Sequence, residues 1–229
     1  MLKRSLAAAV PCLALLVSGC GVAETEFHPG VAAEVGDRTI STNHVDELTT
    51  GFCDAVEEQI ATGGQSFPLR LFKRGIVGQL ALKSAVEQLA QDYDVEPGAD
   101  YQAQLAQIES EAEGLDASGR DEYVEVQATL PYVTDVLTQI GALLLEDGGQ
   151  EDPTLDFQQA RGLDELGAWI DREGVTFDPR YGTEIIDGQP QPANTDLTYA
   201  FSDVAKGGLS DDEPDPVYVA TLPASATCG

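Results

Sequence analysis

The cysteine at position 20 has the most evident potential for chemistry, because it directly follows an apolar run near the amino terminus. Residues 15–21 read LLVSGCG, and the segment LAAAVPCLALLV comes shortly after Lys3 and Arg4. A positive start followed by an apolar stretch of this length is typical of an export signal and is too short to span a bilayer comfortably. The pattern predicts a signal over residues 1–19 that ends just before Cys20.

The residues around Cys20 also resemble the bacterial lipobox, since a branched residue and two small ones, Val17, Ser18 and Gly19, precede the thiol. This resemblance implies that Cys20 receives a diacylglyceryl group, that the signal is cut before it, and that the new amino terminus can be acylated too. Membrane lipid is then the partner held through Cys20, and the chain lies on the extracytoplasmic face of the cell membrane. A signal cleaved without lipid attachment and a retained helix are the alternatives.

Two further cysteines, Cys53 and Cys228, remain in the mature chain, whereas Cys12 is discarded with the signal. Thiols outside the cytoplasm can oxidise to a disulfide. Neither cysteine belongs to a Cys-x-x-Cys pair or lies beside a histidine, which argues against a metal centre or a redox-catalytic centre. We expect a structural disulfide that holds the C-terminal tail against the helical core.

The stretch FDPRYG at residues 177–182 most resembles an active-site loop, because it gathers Asp178, Arg180 and Tyr181 around a proline and a glycine. A proline and a glycine at these positions also suit a turn that leaves a strand. Arg180 can pair with a carboxylate, and Tyr181 can pack. The pattern favours a structural corner, with a ligand site as the alternative.

The mature sequence lacks the commonest catalytic and cofactor signatures. It contains no Gly-x-Ser-x-Gly, Gly-x-Gly-x-x-Gly or phosphate-cradling loop, and its histidines, His28 and His44, lie in a tether and near a helix start. The acidic residues are spread along the chain without the Asp-x-Asp-x-Asp-Gly spacing of a calcium loop. We therefore expect no catalytic residue, no metal site and no cofactor.

The charge balance argues against nucleic acid as a partner. Asp and Glu number 40 against 12 Lys and Arg, which gives a formal net charge of −28. Loss of Lys3 and Arg4 with the signal makes the mature chain more negative still. Such a surface repels phosphate groups, and its acidity is best explained as a solvated, self-repelling exterior.

Apolar residues at three- and four-residue spacing predict five amphipathic helices. We expect the fourth helix to be kinked or divided by its internal proline. The predicted helices run from Ser41 or Thr42 to Gly63-Gly64, from Pro68 to about Tyr93, around residues 101–115, over about 121–146 with Pro131 inside, and from Asp152-Pro153 to Gly174.

Short strand-like runs flank these helices at 31–36, 38–41 and 175–179, and we expect them to lie side by side. The predicted fold is mainly α, with amphipathic helices packed around a small β-sheet formed by an N-terminal strand pair and a strand after the last helix. The predicted organisation is a tether over 20–30, a helical domain over 31–182 and an acidic, Pro- and Gly-rich tail over 183–229. Within the tail we expect loop up to 216 and a possible strand at 217–222.

The order of these elements resembles the N-terminal domain of SurA/PrsA-type foldases. Those chaperones begin with a Val-Asn-Gly-x-x-Ile-Ser/Thr pattern that leads into a helix, and Val35, Gly36, Ile40 and Ser41 match it loosely. The chain is more similar to small actinobacterial lipoproteins of this family, many of which carry a Pro-Arg-Tyr-Gly stretch like that at 179–182. The likeness covers residues 31–182.

This resemblance implies a membrane-anchored chaperone-like lipoprotein that binds unfolded or exported proteins without catalysis. Larger family members insert a parvulin-type prolyl isomerase domain with histidines and glycine-rich turns. Residues 93–150 instead have helical periodicity and no histidine, so we expect that domain to be absent. Three alternatives remain open, namely an isomerase-family enzyme, a solute- or ligand-binding lipoprotein, and a structural envelope component.

Overall fold

The structure is a computed structural model that describes residues 29–64, 66–150, 152–193, 202, 206–208 and 215–229. The predicted signal, Cys20 and most of the predicted tether lie outside the described residues. Much of the predicted acidic loop, at 194–201 and 209–214, also lies outside them.

A three-stranded antiparallel sheet forms where the sequence predicts it. The three strands are β1 (Val31–Val35), β2 (Arg38–Ser41) and β4 (Val175–Phe177). Their order in the sheet is β2-β1-β4, with Val35 of β1 opposite both Arg38 and Val175. The β1–β2 turn needs Gly36, which has φ +55° and lies so close to Trp169 that a Cβ would approach the indole ring to 3.0 Å.

Five long helices follow the predicted order. The side chain of Ser41 caps the first helix by accepting a hydrogen bond from the backbone N–H of His44 at 3.1 Å. Gly174, at φ +85°, ends the fifth. The helices are α1 (Thr42–Thr62), α2 (Leu69–Tyr93), α3 (Ala99–Ala112), α4 (Arg120–Asp147) and α5 (Leu155–Glu173).

The core is centred on α2, which contacts β1, α1, α4 and α5. Each valine or leucine buried there stabilises the fold by roughly 1.5–3 kcal/mol relative to exposure. α3 contributes only Ala112 to the buried set and contacts α4, which agrees with its polar sequence. The fully buried side chains of α2 are Val77, Ala81, Ala85, Val86 and Leu89. The mainly α fold class, with helices packed on a small sheet, is therefore confirmed.

Pro131 does not divide α4, which is one helix from Arg120 to Asp147. Proline removes one backbone donor and crowds the preceding turn, at a cost of about 3 kcal/mol in an isolated helix. In this fold, α4 contacts α1, α2, α3 and α5, and this packing offsets that cost.

Within the described chain, the segment Ala117–Asp147 is long and apolar enough to span a membrane by length and composition, a test that core helices also pass.

The prediction of a loop directly after residue 182 is wrong, because a β-hairpin forms there. Its strands are β5 (Thr183–Ile186) and β6 (Gln189–Pro192), joined at Asp187 and Gly188 with φ +50° and +71°. An Asp-Gly pair with two positive φ angles is typical of a two-residue hairpin turn. The hairpin contacts α2, and a Cβ on Gly78 of that helix would clash with Pro190.

The prediction of a strand at 217–222 is also wrong. Residues Pro216–Val219 form a short helix, α6, because Asp215 accepts a hydrogen bond from the N–H of Val217 at 2.8 Å and proline occupies the first helical position. The terminal strand is instead β7 (Thr227–Cys228), which pairs with β3 (Phe67–Pro68) just before α2.

Candidate functional site

An open groove lies between three helices and the tip of the β5–β6 hairpin, and we call it the apolar groove. Its volume is about 450 Å³. The residues that line it are Gly75, Gln79 and Leu82 of α2, Leu130, Val133, Thr134 and Leu137 of α4, Gln159 and Leu163 of α5, and Gly188, Gln189 and Pro190 of the hairpin.

Helical spacing explains why these residues share one surface. On α4 the lining positions recur at intervals of three and four, and on α5 Gln159 and Leu163 are four apart. Each helix therefore turns one stripe toward the groove. Leu82, Val133 and Leu137 are buried and form its floor.

Two leucines on the walls of the groove remain substantially exposed. Leu130 of α4 is 48% exposed and Leu163 of α5 is 36% exposed. Large apolar side chains that stay in water beside a concave surface typically mark an interaction site. A partner that enters the groove can therefore bury the exposed apolar surface of these two leucines.

The hairpin tip closes one side of the groove. Gly188 is buried and has a positive φ, and a Cβ placed on it would lie 3.2 Å from the side chain of Leu163. The turn thus packs directly against α5. Pro190 continues this wall onto α2 through its contact with Gly78.

The polar groups of the groove are uncharged. Gln79, Gln159, Gln189 and Thr134 line it, and among the described residues that line it none is ionisable. Glutamine amides donate and accept hydrogen bonds, which suits the N–H and C=O groups of a peptide backbone. The lining thus offers apolar surface together with uncharged hydrogen-bonding groups.

The predicted corner at 177–182 is a compact turn at the end of β4. The Asp178 carboxylate accepts hydrogen bonds from the backbone N–H and the Nε of Arg180, at 2.9 and 2.8 Å. This pairing raises the pKa of the Arg180 guanidinium above its ordinary value. Tyr181 is buried in the main core, and Gly182 has φ +57°. Burial raises the pKa of Tyr181 as well.

This corner lies on the sheet side of the molecule, and its three predicted site residues do not line the apolar groove. The guanidinium of Arg180 pairs with the carboxylate of Asp178, and the side chain of Tyr181 packs in the core. These contacts are those of a compact structural turn, and the alternative of a ligand site at this corner stays a prediction.

Cys53 of α1 and Cys228 of β7 form a disulfide, with their Cα atoms 5.6 Å apart. Cys228 is fully buried and packs with Ala55 and Val56 of α1 in a second, smaller core. Phe52, Phe72 and Tyr123 surround this cluster with aromatic rings. The bond thus joins the end of the chain to the first helix, as the sequence predicts.

A second, more polar cleft of about 390 Å³ lies where β2 meets α1, α2 and α4. There, His44 Nε2 lies 3.3 Å from Glu125 Oε1, and Arg38 pairs with Glu87 at 2.7 Å on the neighbouring surface. Arg38 and Glu87 thus form an ion pair, and the imidazole of His44 contacts the carboxylate of Glu125. In the described part of the chain, no three His, Cys, Asp or Glu side chains are grouped as metal ligands.

Sequence reasoning did not identify the apolar groove. Val133, Leu137 and Leu163 are recognisable as members of apolar stripes, but a stripe does not reveal which of its residues a neighbouring element leaves uncovered. The Asp187-Gly188 pair is the one local signal that could have found the hairpin wall.

Comparison with protein-family models, curated proteins and solved structures gives no match to this chain.

Proposed function

We propose that this chain is a non-catalytic, membrane-anchored module on the extracytoplasmic face that binds apolar segments of unfolded or exported proteins. The observation that carries the proposal is the apolar groove, in which Leu130 and Leu163 stay exposed above a buried apolar floor. An apolar side chain of a client would cover these leucines and leave water on entering.

The polar groups of the groove fit the same kind of ligand. An extended polypeptide carries a backbone donor and acceptor at each residue, and these need partners when they leave water. The side chains of Gln79, Gln159 and Gln189 can supply both without selecting a particular sequence. Binding through apolar contacts and adaptable amides suits a chaperone-like role, which needs many clients and no reaction.

The rest of the proposal rests on the amino-terminal sequence. The lipobox-like residues before Cys20 would attach the module to membrane lipid, and the residues up to 30 would hold it off the surface. The pattern shared with SurA/PrsA-type foldases at 35–41 agrees with a role in the folding of exported proteins.

The test measures binding of a fluorescent, extended peptide with an apolar core and serine flanks to the full chain as the cell processes it. Leu130→Ser combined with Leu163→Ser should weaken binding about tenfold, because the exposed part of both leucines no longer gains by burial. The matched control is Leu143→Ser with Leu155→Ser, since these leucines are 42% and 58% exposed but do not line the groove.

The control variant should bind like the parent protein. Equal affinity in all three proteins, or no binding at all, would contradict the proposal. The same variants should then be ranked by suppression of aggregation of a reduced, unfolded client protein. The groove variant should suppress it least.

A further inference from the structure

We infer that the apolar groove selects polypeptide segments whose apolar core is flanked by basic residues. This inference rests on the proposed function and specifies its substrate class. The observation that carries it is the contrast between the uncharged lining of the groove and the acidic residues at its rim.

Two exposed aspartates stand at this rim. Asp156 precedes Gln159 by three positions on α5, so it lies one turn away on the same stripe. Asp187 directly precedes Gly188 at the hairpin tip. Both are exposed, and together they bring negative charge to the α5 wall and the hairpin wall.

Among the described residues that line the groove, no Lys or Arg is present to balance this charge. The guanidinium of Arg161 pairs with Glu165 on its own helix at 3.1 Å, and the ammonium of Lys83 lies 6.0 Å from the centre of the Tyr132 ring. The acidic balance of the whole chain, −28, adds to the same field.

Charge complementarity then decides which apolar segments bind. Basic flanks are attracted to the rim while the core fills the groove, and acidic flanks are repelled. The uncharged floor rejects a charged side chain in the core itself, because burying an unpaired charge is costly. Exposed charges are screened over about 8 Å at physiological salt, so the selectivity should shrink as salt rises.

The test uses three labelled peptides with the same apolar core and with lysine, serine or glutamate flanks, bound to the full chain at low salt. We expect the lysine-flanked peptide to bind about tenfold more tightly than the glutamate-flanked one, with serine between them. In the rim variant Asp156→Asn, Asp187→Asn, this ratio should fall to about two.

The matched control removes two acidic charges from the exposed side of α1, away from the groove, with Asp54→Asn and Glu58→Gln. It should keep the ratio near that of the parent protein. Thermal unfolding of both variants checks that the fold is retained.

The outcomes separate the inference from the proposed function. If the serine-flanked peptide fails to bind, or binds without dependence on Leu130 and Leu163, the proposed function is overturned. If it binds in the groove but the lysine- and glutamate-flanked peptides bind equally well, the function stands and the inference is overturned. A control variant that lowers the ratio as much as the rim variant also overturns it, because the preference then belongs to the whole chain.

Discussion

Gly141 of α4 and Gly162 of α5 face each other at the point where these two helices cross. A Cβ on Gly141 would lie 2.9 Å from the backbone nitrogen of Gly162 and would overlap the carbonyl of Gln158. A Cβ on Gly162 would overlap the carbonyl of Leu137. The two backbones are therefore in direct contact, and this contact sets the distance between the α4 and α5 walls of the apolar groove.

Gly162→Ala should force the two helices apart. Overpacking at a close contact costs about 1–3 kcal/mol, so the free energy of unfolding should fall by that amount in urea titrations. Peptide binding should weaken as well, because Leu163 moves with its helix. The matched control is Gly167→Ala on α5, where a Cβ meets nothing within 4 Å.

Gly167→Ala should raise the free energy of unfolding by about 0.5–1 kcal/mol, since alanine favours a helix over glycine. Opposite signs for the two variants are the expected result. If Gly162→Ala were as well tolerated as Gly167→Ala, the close crossing of α4 and α5 would be refuted.

Replacing Cys53 and Cys228 by serine should reduce the free energy of unfolding by about 2–4 kcal/mol. The bond joins residues 175 apart in sequence, and its loss frees a very long loop in the unfolded chain. It also leaves β7 held to β3 by a two-residue pairing. Thermal unfolding with and without reductant measures this effect, with the serine variant as a control that reductant should leave unchanged.

Thiol labelling of the denatured, unreduced protein gives the direct check of the disulfide. Labelling at both cysteines without reductant would show that the bond is absent, and an unchanged melting temperature on reduction would remove its structural role.

Local sequence signals were sufficient for the order and approximate bounds of the long helices and for the sheet. Ser41 predicts the start of α1 because its hydroxyl can cap free N–H groups, and Gly174 predicts the end of α5 because it tolerates a positive φ. The runs at 31–35, 38–41 and 175–177 are too short to be stable alone, so their pairing could be expected.

Errors arose where a nearby residue or the tertiary packing overrides local propensity. Val217, Tyr218 and Val219 favour a strand by residue type, yet the Asp215 cap makes them helical. The hairpin was missed because the QPQP strand lacks the alternation of apolar residues that normally marks a strand. The groove could not be predicted, since periodicity labels Leu130 and Leu163 as apolar without revealing how much of each side chain stays exposed in the fold.

Cys20→Ala should release the protein from the membrane. Val17, Ser18 and Gly19 precede this cysteine as in a lipobox, and several acyl chains at about 0.8 kcal/mol per buried methylene hold a protein firmly on a bilayer. Detergent phase partitioning should place the parent protein in the detergent phase. The variant should either enter the aqueous phase or keep its signal uncleaved. A mature parent chain that partitions into water and carries no acyl mass on Cys20 would contradict the anchor.

The alkaline stability of the protein should depend on Tyr132. Burial, aided by the carboxylate of Glu87 and by Tyr101, raises the pKa of Tyr132 to about 12, and its ring meets that of Tyr101 edge-on at 5.6 Å. In the unfolded chain this phenol ionises near pH 10. Above pH 10, the unfolded state therefore loses a proton that the folded state keeps.

The contribution of Tyr132 to stability is consequently complete below pH 10 and is lost as the pH rises from 10 through 12. Tyr132→Phe should make the free energy of unfolding fall less steeply across this window, although part of the decline should persist, because burial also raises the pKa of Tyr93, Tyr101 and Tyr181. Urea titrations at a series of alkaline pH values measure the slope. Spectrophotometric titration of the tyrosinate band should correspondingly lose its latest-ionising component in the variant. Identical slopes and identical titration curves in the two proteins would show that Tyr132 is not the group responsible.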